Sequence, residues 1–150
     1  RYLLKTRYQD KLSITMDIDP AILNQAIPKV TLLQVVENSI RHGFERPYEQ
    51  MRIAVRGFVR DGWWCVEVTD NGDGFDHNVL RELKLRIQAD RDALLRHEKN
   101  LQMQFGGMGL INTSARFTVY YGERCAFEIG NTPEGGARVF LSAAIREEGA

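Results

Sequence analysis

The chain has 150 residues, 43% of them hydrophobic, with 20 acidic and 20 basic side chains and a formal net charge of zero. That suffices for one domain with a real core, and the charge balance excludes a strong overall field drawing the protein to nucleic acid or an anionic membrane, so local groups must hold any anionic ligand. No apolar run approaches the roughly 18 residues of a membrane span, "RYLLKTRYQD" lacks a signal-peptide core, and Cys65 and Cys125, far apart in apolar runs, read as buried thiols of a reducing compartment.

In chain order, Tyr2, Leu3, Leu4 and Tyr8 sit among basic residues without an N-cap, so residues 1–10 are expected to be the tail of a helix begun upstream, with the domain proper at 11–150. "KLSITMDID" alternates Leu12, Ile14, Met16 and Ile18 against polar neighbours, a half-buried strand stopped by Pro20. "VTLLQVVENSIRHGF" is helical, opened by Pro28 and closed near Gly43. Val30, Leu33, Val36 and Ile40 are its expected buried stripe. Gln34, Asn38, Arg41 and Glu45 form a second, polar stripe at the same spacing.

"MRIAVRGFVRDGWWCVEVTD" reads as a hairpin turning at Asp61-Gly62 and delivering its second strand into "DNGDGF". From Asp76 to Phe105 the chain is charged and helix-forming, with Leu80, Leu83, Ile87, Leu94 and Leu101 as a sparse apolar stripe, so part of it is expected to be less firmly ordered than the sheet. "FGGMGLINTSARFTVYYG" starts as a glycine loop and turns helical near Leu110, ending at Gly122, and "CAFEIGN" and "ARVFLSAAIR" make a second hairpin through "TPEGG". The order predicts an α+β fold, a two-layer α/β sandwich whose mixed β-sheet is covered on one face by helices.

Three stretches carry candidate chemistry. Asp70 sits at a strand end before Gly72 and Gly74; this is either an acidic turn or a base reader, since a carboxylate accepts from an exocyclic amine such as adenine's and disfavours guanine's carbonyl. Gly106, Gly107 and Gly109 precede a helix, either as a flexible linker or as a loop aiming amide hydrogens at phosphates. Neither a Walker loop nor a Rossmann fingerprint fits their spacing. Asn38 offers the single amide oxygen that a nucleotide-borne magnesium ion needs, and Arg41, one turn on, a cation for phosphate.

Taken together, "LLQVVENSIRHG", "DNGDGF" and "GGMGLINTSARF" resemble the N box and the two glycine boxes of the GHKL nucleotide-binding superfamily of gyrase, heat-shock chaperones, mismatch-repair proteins and histidine kinases. "YLLKTRYQDKL" and "YYG" make the LytS-type sensor histidine kinases the nearest subgroup. The resemblance spans nearly the whole chain. It implies the Bergerat sandwich, with ATP and Mg2+ held between the N-box helix and a lid from about Asp76 to Phe105. Position by position it implies Asn38 as the metal ligand and Asp70 as the adenine reader, while Arg41 reads as a cation for phosphate and His42 as lining the nucleotide pocket or capping the helix. Gly72 and Gly74 would bend beneath the base, and Gly107, Gly109 and Leu110 would belong to the phosphate loop.

Two departures bear on activity. Gln34 stands where hydrolytic relatives carry a glutamate base, and an amide is a poor general base at neutral pH, so efficient hydrolysis is not expected. Ala137 follows Gly136 where many relatives place a threonine near the adenine aspartate, so one supporting hydrogen bond is expected to be missing or replaced by water.

The resemblance further implies a protein histidine kinase catalytic domain, with residues 1–10 ending its dimerisation/phosphotransfer domain. None of His42, His77 and His97 reads as the phosphoacceptor, which is expected on an upstream domain. Arg116, one turn after Asn112, reads equally as a phosphate contact or a surface ion pair. The implied partners are the upstream helices of the same protein and, indirectly, a response regulator. The parent is expected to be a homodimer anchored in the inner membrane, with this domain cytoplasmic and no nucleic-acid role. An anti-sigma-type serine kinase and a nucleotide-binding regulatory module without transfer are the rival functions.

Overall fold

The computed structural model describes residues 2–8, 12–25, 29–43, 50–98, 100 and 109–146. Along the chain it runs β1 (Tyr2–Tyr8), β2 (Leu12–Ile18), a 3-10 turn (Pro20–Ile22), α1 (Lys29–Gly43), β3 (Met51–Arg60), β4 (Trp63–Asp70), α2 (His77–Leu95), α3 (Gly109–Tyr121), β5 (Cys125–Asn131) and β6 (Ala137–Ala144). The strands form one six-stranded sheet in the order β1-β2-β3-β4-β6-β5. Among the described residues only β2 and β3 pair in parallel. A parallel pair needs a crossover, and α1 supplies it.

Period-two patterning decides which face of the sheet is covered. On β3, Met51, Ile53 and Val55 are buried while Arg52, Ala54 and Arg56 are exposed. On β4, Trp64, Val66, Val68 and Asp70 are buried. The buried set meets Val35 of α1 and Ile111 and Phe117 of α3 in one core. Phe117 is its centre, with its ring 5.9 Å from Trp64, 4.8 Å from Tyr121 and 6.3 Å from Phe127. On the other face Phe58 and Phe140 stack 6.3 Å apart, flanked by Arg56, Arg60 and Arg138 over the two rings.

The β3–β4 hairpin turns at Asp61 (φ 53°) and Gly62 (φ 78°), the left-handed pair expected of Asp-Gly. Cys65 and Cys125 are buried and unpaired. Burial raises both thiol pKa values, with Arg60 and Arg91 respectively opposing the rise.

Two expectations need correction. Residues 2–8 form a strand rather than the end of a helix, antiparallel to β2 with Tyr2 opposite Ile18 and Tyr8 opposite Leu12. Tyr2, Leu4, Thr6 and Tyr8 alternate with Leu3, Lys5 and Arg7, and β2 otherwise presents an unpaired edge that a period-two segment satisfies.

On α1 the deeply buried ridge is Thr31, Val35 and Ser39, while Leu33 is 57% exposed. Small side chains at both ends of that ridge let the helix lie close to its neighbours. The stretch read as charged and helix-forming from Asp76 contains a 19-residue helix, α2, N-capped by Asp76, with Ile87 and Leu94 of the expected stripe buried. The stripe expected through Leu80 and Leu83 packs on the core, whereas Leu101 and the segment to Phe105 lie outside the described residues. Pro28 and Glu45 also lie outside them. Among the described residues no helix is long and apolar enough to cross a membrane.

Candidate functional site

The last inward residue of β4 is Asp70, only 8% exposed. Its Oδ1 accepts from the amide of Gly72 at 2.9 Å and from the amide of Ala137 at 3.1 Å. The first bond is an Asx-type turn that starts the glycine loop, and the second ties the loop to the start of β6. Ala137 therefore supplies a donor through its backbone, even though it lacks the hydroxyl found at this position in many relatives. Both bonds fall on one oxygen, so the carboxylate can accept a further donor at Oδ2.

The β5–β6 turn closes over this end of the sheet. A Cβ on Gly136 would stand 1.9 Å from the Asp70 carbonyl oxygen, so only glycine permits the approach. Gly74 has φ +71°, and a Cβ there would meet the Gly135 carbonyl at 2.3 Å and Asn131 Oδ1 at 2.7 Å. Thr132 completes the turn by accepting from the Gly136 amide at 3.0 Å. Asn131, Thr132 and Gly136 had no functional reading in the sequence. Asn-Thr-Pro-Glu-Gly-Gly is a strong turn signal in its own right, and turn residues look alike whether or not they face a site.

A second cluster forms where α1 meets α3. Asn38 Oδ1 lies 3.6 Å from the position a Cβ would take on Gly109, the first residue of α3. One turn earlier Gln34 faces Thr113, with Oε1 3.2 Å from the Thr113 hydroxyl, which also lies 2.7 Å from the Gly109 carbonyl. The hydroxyl has one proton, and the shorter contact, to a carbonyl, claims it. A Gln34 amide turned to present Nε2 to Thr113 satisfies the longer one.

The structure thus joins the asparagine stripe to the second glycine stretch, and Asp70 to the loop of Gly72 and Gly74. Both clusters lie on the helix-covered side of the sheet. Arg41 is exposed on α1, one turn beyond Asn38, and Leu110 is buried beneath the start of α3. His42 lies within α1. Gly106 and Gly107 lie outside the described residues. His77, the first residue of α2, and His97, just after it with φ 58°, are both exposed.

Among the described residues no three His, Cys, Asp or Glu side chains converge on a point. An oxygen-seeking ion that brings its own phosphates and water needs no such cage, and the Asn38 amide oxygen at the head of α3 fits it. A depression of about 650 Å³ opens chiefly on the helix-free face, where Ser13, Thr15, Arg52, Thr69 and Arg138 line it, and it reaches Asp70 and Thr132 at the end of the sheet. It draws on none of α1 or α3.

Residues 25–146 match the family described as HATPase_c, histidine kinase-, DNA gyrase B-, and HSP90-like ATPase. The chain is 28% identical over 142 residues to the sensor histidine kinase YesM of Bacillus subtilis, covering 95% of this chain and 21% of that protein. It is 27% identical over 146 residues to the sensor protein LytS of Enterococcus faecalis, covering 97% of this chain and 23% of that one. The chain therefore spans less than a quarter of the length of these relatives.

In fold it is similar to the catalytic domain of the histidine kinase ThkA, with TM-score 0.58 and 13% identity over 89% of this chain and 78% of that one. It is likewise similar to the Acinetobacter baumannii histidine kinase AdeS, with TM-score 0.54 and 16% identity over 93% and 57% of the two chains.

Proposed function

Since the chain belongs to the HATPase_c family of histidine kinase-, DNA gyrase B- and HSP90-like ATPases, we propose that it binds Mg-ATP between α1, α3 and the Asp70 loop and donates the γ-phosphoryl group to a histidine on a helical domain of its parent protein. The observation that carries this reading is the approach of Asn38 Oδ1 to Gly109, which brings a hard oxygen donor to the start of a helix. A helix start offers free amides and the positive end of a dipole to phosphates.

Each residue then has a chemical task. Asp70 accepts the adenine amine at Oδ2 while Oδ1 remains tied to Gly72 and Ala137. Gly72 and Gly74 let the backbone pass beneath the base. Arg41 and His42 flank the phosphates, and Gly109 and Leu110 present the first turn of α3 to them. Mg2+ would be held at the Asn38 amide oxygen, where it would supply charge neutralisation to the phosphates. Transfer breaks the bond from the γ-phosphorus to the bridging oxygen, leaving ADP, and forms a phosphorus–nitrogen bond on the incoming imidazole.

Gln34 hydrogen-bonds to α3 and has no basic group with which to activate water, so transfer rather than hydrolysis is the favoured outcome. On this reading the domain works on the cytoplasmic side of a homodimeric, membrane-anchored parent, and a response regulator takes the phosphoryl group from the acceptor histidine. Equilibrium titration with nucleotides tests the binding half of the proposal. Saturable Mg-ATP binding that ADP displaces and GTP does not is the expected result; a folded chain indifferent to adenine nucleotides contradicts it.

A further inference from the structure

Phe75 follows Gly74 directly, and its backbone leaves the sheet between the Asp70 turn and the first turn of α2. Asn131, the last residue of β5, reaches both of its backbone polar groups. The Phe75 amide donates to Asn131 Oδ1 at 2.7 Å, and Asn131 Nδ2 donates to the Phe75 carbonyl at 3.0 Å. A carboxamide used in this way imitates a neighbouring strand for one residue, where no strand is present. The same Oδ1 occupies the space a Cβ on Gly74 would need.

We infer that Asn131 is a positioning residue for adenine recognition, acting through Phe75 and Gly74 to hold the loop that aims the Asp70 carboxylate. This rests on the nucleotide-binding reading above. The loop from Asp70 to Phe75 is pinned at its start by the two bonds to Asp70 Oδ1 and at its end by the two bonds to Asn131. All but the Gly72 bond reach across to the β5–β6 hairpin, so the hairpin serves as the template for the loop. Removing the Asn131 amide leaves Phe75 with an unmatched donor and acceptor, both of which water can recover only if the loop moves outward. The direction of Oδ2 then relaxes, and discrimination at the base is lost before affinity for phosphate.

The test compares Asn131→Ala and Asn131→Asp with the unaltered chain by titration with ADP and with IDP, whose base has a carbonyl in place of the amine, and by amide hydrogen exchange at Phe75. The unaltered chain should prefer ADP. In Asn131→Ala the Phe75 amide should exchange at least about tenfold faster, and ADP affinity should fall at least about tenfold while IDP affinity changes less than about twofold. Asn131→Asp keeps the acceptor for the Phe75 amide but sets a carboxylate against its carbonyl, so it should fall between the two. Equal losses for ADP and IDP in a cooperatively melting variant, or unchanged exchange at Phe75, overturn the inference. Faster exchange at Phe75 in a protein whose unaltered form shows no ADP preference keeps the clamp as a loop-holding device and removes its role in base reading.

Discussion

Asp70 commits one oxygen to the fold and, on the proposed reading, the other to the ligand, and this makes its conservative replacement informative. Asp70→Asn can keep Oδ1 as acceptor for Gly72 and Ala137, so the loop should stay in place. Its Nδ2 then faces adenine's amine with a donor. ADP affinity should drop at least about tenfold, as for loss of a hydrogen bond to a charged group. Calorimetric titration showing unchanged affinity in the folded variant removes Asp70 from the site. Asn38 makes a different prediction because its proposed partner is a metal carried by phosphates. Asn38→Ala should weaken Mg-ATP by a larger factor than metal-free ADP, and equal factors in parallel titrations would leave it as a structural residue.

At the scale of elements, α3 is the helix that packs most heavily on its neighbours. Phe117→Ala removes the ring that links Trp64, Tyr121 and Phe127, and should cost about 3–5 kcal/mol in urea unfolding. Tyr121 at the end of the same helix has its hydroxyl pKa pushed from 10.0 up to about 12, chiefly by burial, with Tyr120 adding and Arg146 opposing. An unfolded chain releases that proton above about pH 10 while the folded one holds it. The unfolded state therefore binds fewer protons in this window, and stability falls as pH rises from about 10 to 12. The urea midpoint should decline less steeply across the window in Tyr121→Phe; parallel declines would show that the phenol contributes nothing.

These elements also mark what the sequence made legible. The hairpins, the span of α1 and the end of α3 at Gly122 followed from turn residues and local periodicity, which act within a few positions. The burial of Leu33 was misjudged because α1 meets the sheet and α3 together, and a periodic stripe does not say which of its edges a second helix covers. Residues 2–8 depart from the helical expectation because seven alternating residues pair only if a free strand edge lies near, a tertiary fact. The pairing of Asn131 with Phe75, 56 positions apart, has no local signal at all.

At the scale of the whole molecule, zero net charge leaves recognition of an anionic ligand to local groups, on the proposed reading the Asn38–Gly109 contact and the Asp70 loop. The first cluster has Gln34 where a base for water would stand, so ATP turnover by the chain alone should be slow, and proximity of a partner's imidazole should supply the missing rate. The direct measurement is incubation of the chain with Mg-ATP labelled on the γ-phosphate, with and without the helical dimerisation domain of its parent. Label should appear on the added domain only, and be lost in acid but retained in alkali, as a phosphohistidine requires. Label that survives acid, as a phosphoserine does, or label on the isolated chain that disappears in His97→Ala, would contradict the account.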